Sequence, residues 1–301
     1  MYAGGTGYHI HGMESQRDNQ NAAGIERLLG RQVSAVPRRL SRVLYIPSHG
    51  SSQFHLPLYD VGTEFRTAIG DALIGSSMFT TRLNFMKTPS GEGTDGQVRY
   101  LVDVEKRQVG DGEHVIAQIR RRALGVVDGK DAVSLLMDTG SDAFKLKRGS
   151  PDSGPTDVVS VTPAYPVPDT TLRDGAVRHP WYSFTPGGSS EMQWRSYPAS
   201  HGPLRHTLVR TDKSPQDPGE LPHDDCVEAI YQHIGISTLD LCHRESQGVL
   251  MLLDGLDREV ELLYIGSLVG MLWQVRRQST VKDDASKSSQ TKKILRKVFK
   301  K

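Results

Sequence analysis

The sequence predicts a mainly β chain in which a barrel or curved sheet closes around one hydrophobic helix near the C-terminus. Two observations carry this. The segment Asp257–Arg277, DREVELLYIGSLVGMLWQVRR, holds an apolar run from Leu262 to Val275 in an otherwise polar chain. At about 1.5 Å per residue the run spans roughly 21 Å, short of the roughly 30 Å of a bilayer core, so it is not predicted to cross a membrane. Its apolar residues cover nearly every face, so protein must surround it. The chain ahead of it reads as about nine or ten short strands separated by turn residues, the pattern of an all-β domain.

The elements follow in order. Residues 1–52, rich in Gly, Arg, Asn, Gln and Ser, read as a disordered arm, with a short helix over Ala23–Leu29. Ordered structure is expected from Leu56-Pro57-Leu58-Tyr59-Asp60. Thr67–Ile74 reads as a short helix ending at Gly75, and Met78–Met86 as a strand, from its aromatic and β-branched residues. Ser90–Gly96 is a Gly-rich turn. Gln97–Val104 alternates like a strand, and Asp111-Gly112 signals a hairpin into the strand His114–Arg122, where Val115, Ala117 and Ile119 share a face. Asp128-Gly129 marks the next turn, and Val133–Met137 pairs with Ala143–Lys147.

Gly149–Pro180, with six prolines, reads as a long external loop. Trp181–Phe184 and Met192–Tyr197 form a hairpin around Pro186-Gly187-Gly188-Ser189. Leu204–Thr211 is a strand, and Lys213–Pro222 a second disordered loop. Val227–Ile236, Thr238–Cys242 and Gly248–Leu253 are the last strands before the helix. Three units result: the arm (1–52), the barrel with its central helix (53–278, with insert loops at about 149–180 and 213–222), and a linker with a basic amphipathic tail (279–301).

Three stretches carry a family resemblance: the strand HVIAQIRRRALG, the aromatic hairpin WYSFTPGGSSEMQWRSY, and the closing segment GVLMLLDGLDREVELLYIGSLVGMLWQV. Over roughly Leu56–Arg277 the chain resembles the fungal branch of the tubby C-terminal-like superfamily. That resemblance implies a closed β-barrel threaded by a helix, with the two Pro-rich insertions outside it. Some tubby-like proteins bind phosphoinositides through basic residues on the barrel. No lipid-binding residue carries over position by position, so the resemblance implies a fold and membrane-surface binding as an expectation.

The 301 residues suffice for one large domain. The net charge of +2 hides an uneven distribution, because the last 17 residues hold seven Lys or Arg and no acid. Two cysteines, Cys226 and Cys242, make no disulfide framework and fit a reducing compartment. The N-terminus has no apolar stretch of the secretory kind. The expected location is cytoplasmic, extending to the periphery of a membrane, with the nucleus as the alternative.

Motifs that could carry chemistry are few. Leu135-Leu136-Met137-Asp138-Thr139-Gly140-Ser141 is how aspartic peptidases present a catalytic carboxylate. That chemistry needs two aspartates sharing a proton, and the chain's other Asp-Ser-Gly, at Asp152, follows Gly-Ser-Pro and not an apolar run, so an enzyme using Asp138 would have to dimerise. The competing reading is a β-turn, with Asp first and Gly where φ is positive. His223, Asp224, Asp225, Cys226, His233, Cys242 and His243 are metal-ligand types, but their irregular spacing reads as a polar loop with core cysteines. His9 and His11 sit in the Gly-rich arm. Gly4-Gly5-Thr6-Gly7 and Thr185–Ser190 lack the Lys of a phosphate loop, and no Gly-x-Ser-x-Gly elbow is present. Arg38-Arg39-Leu40-Ser41 has basic residues ahead of a serine, a pattern basophilic kinases accept, and the favoured reading is an ordinary basic linker. Gly266-x-x-x-Gly270 reads as small residues that let strands approach the helix. No metal or cofactor is expected.

The strongest interaction signal is Thr291–Lys301, TKKILRKVFKK. Ile294, Leu295, Val298 and Phe299 fall on one helical face, and Lys292, Lys293, Arg296, Lys297, Lys300 and Lys301 occupy the rest. A basic amphipathic helix suits an anionic membrane surface, where each basic group adds about 1 kcal/mol. The expected function is a non-enzymatic binding or scaffold module, monomeric, touching anionic lipids through Lys292, Lys293, Leu295, Arg296, Lys297, Phe299, Lys300 and Lys301. The alternatives are a dimeric aspartic peptidase using Asp138, and a nuclear or nucleic-acid-associated module using the same tail.

Overall fold

Twelve antiparallel strands close into a barrel in the computed structural model, each hydrogen-bonded to the next along the chain and the last to the first. The structure describes residues 33–49, 55–86, 98–108, 113–123, 126–138, 141–149, 157–164, 180–188, 190–197, 205–214, 222–234 and 246–275. The strands are β1 (Arg42–His49), β2 (His55–Asp60), β3 (Val98–Gln108), β4 (Glu113–Ala123), β5 (Val126–Asp138), β6 (Phe144–Arg148), β7 (Val158–Ala164), β8 (Trp181–Phe184), β9 (Met192–Tyr197), β10 (Arg205–Arg210), β11 (Val227–His233) and β12 (Ser246–Leu252). The circle closes where β1 pairs with β12, Leu44 opposite Leu250. Closure leaves none of these described strands with a free edge to pair with another chain.

Strand alternation sends one set of side chains inward: Leu44 and Ile46, Tyr100 and Val102, Ala117 and Ile119, Leu135 and Met137, Phe144 and Leu146, Trp194, Leu208, Tyr231 and Leu250. These enclose the C-terminal helix, α3, residues 258–275. At about 1.5 Å per residue α3 is roughly 27 Å long. Leu263, Ile265, Leu268, Val269 and Met271 are fully buried, and Leu272 nearly so, as the all-round apolar pattern requires. Among the described residues no helix is long and apolar enough to cross a membrane.

The entry of α3 is locally encoded. Asp254-Gly255 makes the turn out of β12, with Gly255 at φ 73°. The Asp257 carboxylate then accepts from the Glu259 amide at 2.9 Å, capping the helix. Inside the barrel the Trp194 indole donates to Ser267 Oγ at 2.8 Å, and Ser267 donates back to the Tyr264 carbonyl, so these buried polar groups are paired. The two helical glycines do what their spacing predicts. A Cβ on Gly270 would lie 2.4 Å from the Phe144 ring, and one on Gly266 3.1 Å from Leu146.

Among the described residues, two short helices lie outside the barrel, α1 (Gly62–Ile69) and α2 (Ser77–Phe85). Phe65, Ile69, Phe79 and Leu83 pack with Val43, Tyr45, Val209, Ile230, Val249 and Met251, giving β1, β10, β11 and β12 a second buried face. Phe65 and Phe79 meet edge to face, with centroids 6.1 Å apart.

Several sequence expectations need correction. The first strand, β1, lies inside the span 1–52 read as a disordered arm, and Val33 and Leu40 ahead of it are buried. Its inward Leu44 and Ile46 complete the barrel wall, which outweighs the polar composition around it. Met78–Met86 is the helix α2, because Ser76 caps the Phe79 amide and Phe79 and Leu83, four apart, form its buried side. The helix expected at Thr67–Ile74 is α1, which ends at Gly70 with φ 55°, while Ile74 forms a β-bridge with Ser34. Asp128-Gly129 lies within β5, which begins at Val126. The Pro-rich span 149–180 contains β7, whose Val159 and Val161 are buried in the barrel. β11 ends at His233, short of Ile236. The turns at 90–96 and 111–112, the strand Thr238–Cys242 and the tail 279–301 lie outside the described residues.

Candidate functional site

The barrel has two mouths, and α3 begins at the one where β1, β3 and β5 start. Inward positions there carry charge. Arg42 donates to Glu261 of α3 at 2.8 Å, and the Arg42 guanidinium sits 6.0 Å from the centre of the Tyr100 ring. Arg121 lies opposite Tyr100 on β4. Arg148 donates to Glu259 at 2.9 Å and pairs with Asp157 at 3.6 Å. Acids at the start of α3 also suit the positive end of its dipole. The cluster therefore clasps the entering helix to the barrel rim.

Glu261 is almost wholly buried. Burial pushes its pKa up, against the opposing pull of Arg42 and the Tyr100 hydroxyl. Burial likewise raises the Tyr100 hydroxyl above its ordinary range, helped by the Glu261 charge. An acid with a raised folded-state pKa binds its proton more tightly in the folded state. Its contribution is fully present below the unfolded pKa and is lost as pH rises through the folded value. Glu261→Gln is therefore expected to gain stability relative to wild type as pH rises through that window. Urea melts of both proteins across it check this, and a difference that is flat or of opposite slope would mean that Arg42 outweighs burial.

A second polar group lies on the outer wall. The buried Asp103 accepts from Arg120 and bonds to His55 Nδ1 at 2.6 Å, with His55 itself exposed. A third is on the outer face of β8 and β9. Arg195, fully buried, stacks 4.5 Å over the Trp181 ring and donates to Gln193 and Ser214. It fastens the turn after β10 to the wall. Inside, Ser196 and His206 Nδ1 are 2.8 Å apart, and His206 stacks on Tyr231. Ser196 is nearly and His206 completely buried, which closes the pair to a substrate.

The residues singled out in the sequence are placed as follows. Asp138 is the last residue of β5, opposite Glu113, in the chain leading to β6. Its side chain, with Thr139 and Gly140, lies outside the described residues. Gln274 of α3 donates to the Ser141 carbonyl at 3.3 Å, tying this end of the hairpin to the helix. The Cys226 thiol donates to the His223 carbonyl at 2.9 Å, and burial raises its pKa, which disfavours the reactive thiolate. His233 bonds to Tyr231, and Cys242 and His243 lie outside the described residues. Among the described residues no three His, Cys, Asp or Glu groups gather as metal ligands. The Arg39 guanidinium donates to the Val227 carbonyl and Leu40 is buried, so the segment before Ser41 is fastened to the barrel. Lys292, Lys293, Leu295, Arg296, Lys297, Phe299, Lys300 and Lys301 lie outside the described residues.

Sequence reading missed the Arg42–Glu261 clasp, whose partners are 219 residues apart. The available signal was arginine at the inward parity of β1, β4 and β6, with Glu259 and Glu261 at the start of an apolar helix.

The fold and these groups define a closed twelve-stranded antiparallel barrel filled by its own C-terminal helix. Compared with known proteins, the chain matches no family model, no curated protein and no solved structure.

Proposed function

We propose that this chain is a non-enzymatic, tubby-like binding or scaffold module that associates with anionic membrane lipids, phosphoinositides included, through its basic C-terminal tail. The observation that carries the reading is the one-faced spacing of Ile294, Leu295, Val298 and Phe299 among six Lys or Arg in Thr291–Lys301. The filled barrel supports it, because the space inside the wall is taken by α3 and a ligand must be met outside. The described charge clusters are engaged in holding helix, turn and wall together, whereas the tail's six cations have no acid among them in the sequence. The barrel then acts as the rigid body that the tail brings to a surface.

The test is cosedimentation with vesicles. Binding is expected to vesicles containing phosphatidylserine or a phosphoinositide and not to neutral ones. It is expected to weaken as salt rises and the Debye length falls to about 8 Å at physiological ionic strength. Leu295→Ser with Phe299→Ser keeps every charge and is expected to weaken binding, which separates insertion from plain charge attraction. Equal binding to anionic and neutral vesicles would defeat the proposal.

A further inference from the structure

We propose that the outer face of α2, formed by Met78 and Phe85, is the docking surface for residues 22–29 of the same chain. Phe79 and Leu83 bury one side of α2, while on the other Met78 is 36% and Phe85 82% exposed. Seven residues apart, these two lie within about 20° of each other around a helix. They make an apolar stripe on an element whose buried side is already fully used.

The path of the chain names the occupant. Its described part begins at Val33, which is buried. Ser34 exchanges both backbone hydrogen bonds with Ile74, at 3.2 and 2.8 Å, and its hydroxyl accepts from Arg205 at 2.7 Å. Ile74 stands two residues before Ser76, the N-cap of α2. Everything ahead of Val33 therefore starts from the N-terminal end of α2. Residues 22–29 read AAGIERLL, whose Ile25, Leu28 and Leu29 have the spacing of one helical face, with the charged Glu26 and Arg27 between them in sequence. Residues 30–33 reach at most about 14 Å when extended, and α2 is itself about 13 Å long. The segment can thus lay Ile25, Leu28 and Leu29 along Met78 and Phe85.

The small size of the stripe also favours a tethered occupant. A stable interface between free proteins needs about 1,000 Å² or more, which a stripe of two side chains does not supply. A segment joined by a short connector acts at millimolar effective concentration, where a small apolar contact suffices.

The experiment places a benzoyl-phenylalanine photocrosslinker at position 85 of the full chain, without lipid, and identifies the adduct by mass spectrometry. The expected product is a cross-link within one chain to the peptide holding residues 22–29. A cross-link between two chains, or one that omits the segment, overturns the proposal. In parallel, trypsin cleavage after Arg27 and Arg31 is timed. Phe85→Asp is expected to speed it about tenfold, Leu28→Asp to do the same, and the double variant to add little, since both remove one contact. Phe85 is too exposed for its replacement to unfold the barrel, so unchanged cleavage in Phe85→Asp would also overturn it.

Discussion

Replacing Leu268 with alanine is expected to lower the stability of the protein by about 2–5 kcal/mol. The side chain is fully buried at the middle of α3, inside a ring of strand side chains that includes Ile119, Leu135, Leu146 and Trp194. Two terms add: the lost transfer of the removed atoms from water, and the cavity they leave. The cavity cannot easily collapse, because the surrounding wall is a closed hydrogen-bonded circle. The same reasoning covers Leu263 and Leu272. Since a typical domain is stable by only about 5–15 kcal/mol, any one of these changes removes a large share. Urea unfolding followed by tryptophan fluorescence measures the loss. A loss below about 1 kcal/mol would mean that α3 is packed far more loosely than its burial indicates.

The second large effect is expected at Gly270. An added methyl would lie 2.4, 2.7 and 2.8 Å from three atoms of the Phe144 ring. That ring is itself buried and held against Tyr182, with centroids 5.9 Å apart, so it has little room to retreat. Two terms oppose each other in Gly270→Ala. Alanine gains about 1 kcal/mol of helix propensity over glycine, while overpacking a tight core costs about 1–3 kcal/mol and sometimes more. With a rigid ring as the obstacle the steric cost wins, and the variant is destabilised. Gly266→Ala is the contrast. Its nearest neighbour is the end of the Leu146 side chain at 3.1 Å, which can shift, so the two terms nearly cancel. Phe144→Leu should restore part of the stability of Gly270→Ala. Equal effects of alanine at positions 266 and 270 would contradict the steric account.

Much of this fold is written in local sequence. The run Leu262–Val275 announces a buried helix, the Pro-Gly-Gly turn announces the β8–β9 hairpin, and the pairing of Val133–Met137 with Ala143–Lys147 recurs in β5 and β6. The misses have physical causes. In α2, Phe79, Thr80 and Thr81 have the residue types of a strand, and only the Ser76 cap and the packing of Phe79 and Leu83 on the barrel select the helix. In β1 and β7 the flanking segments are polar or Pro-rich, and the strands form because the wall on either side offers its ladder. The ingredients of the charged clasp were legible as inward-parity arginines and acids at the helix start, but not their pairing, since Arg42 and Glu261 meet only after the whole barrel closes. The proposed lipid-binding residues are the opposite case. They are legible in the sequence alone, because charge and helical spacing need no tertiary partner.

The role of the tail is decided by vesicle binding and thermal unfolding of the full chain and of a chain lacking Lys292–Lys301, compared on the same preparations. With anionic vesicles truncation is expected to abolish binding. The melting temperature is expected to stay unchanged, because the described core of barrel and α3 is built from residues that precede the tail. Binding that survives the truncation, or a truncated chain that melts early, would contradict a separate basic tail that carries a self-filled barrel to the membrane.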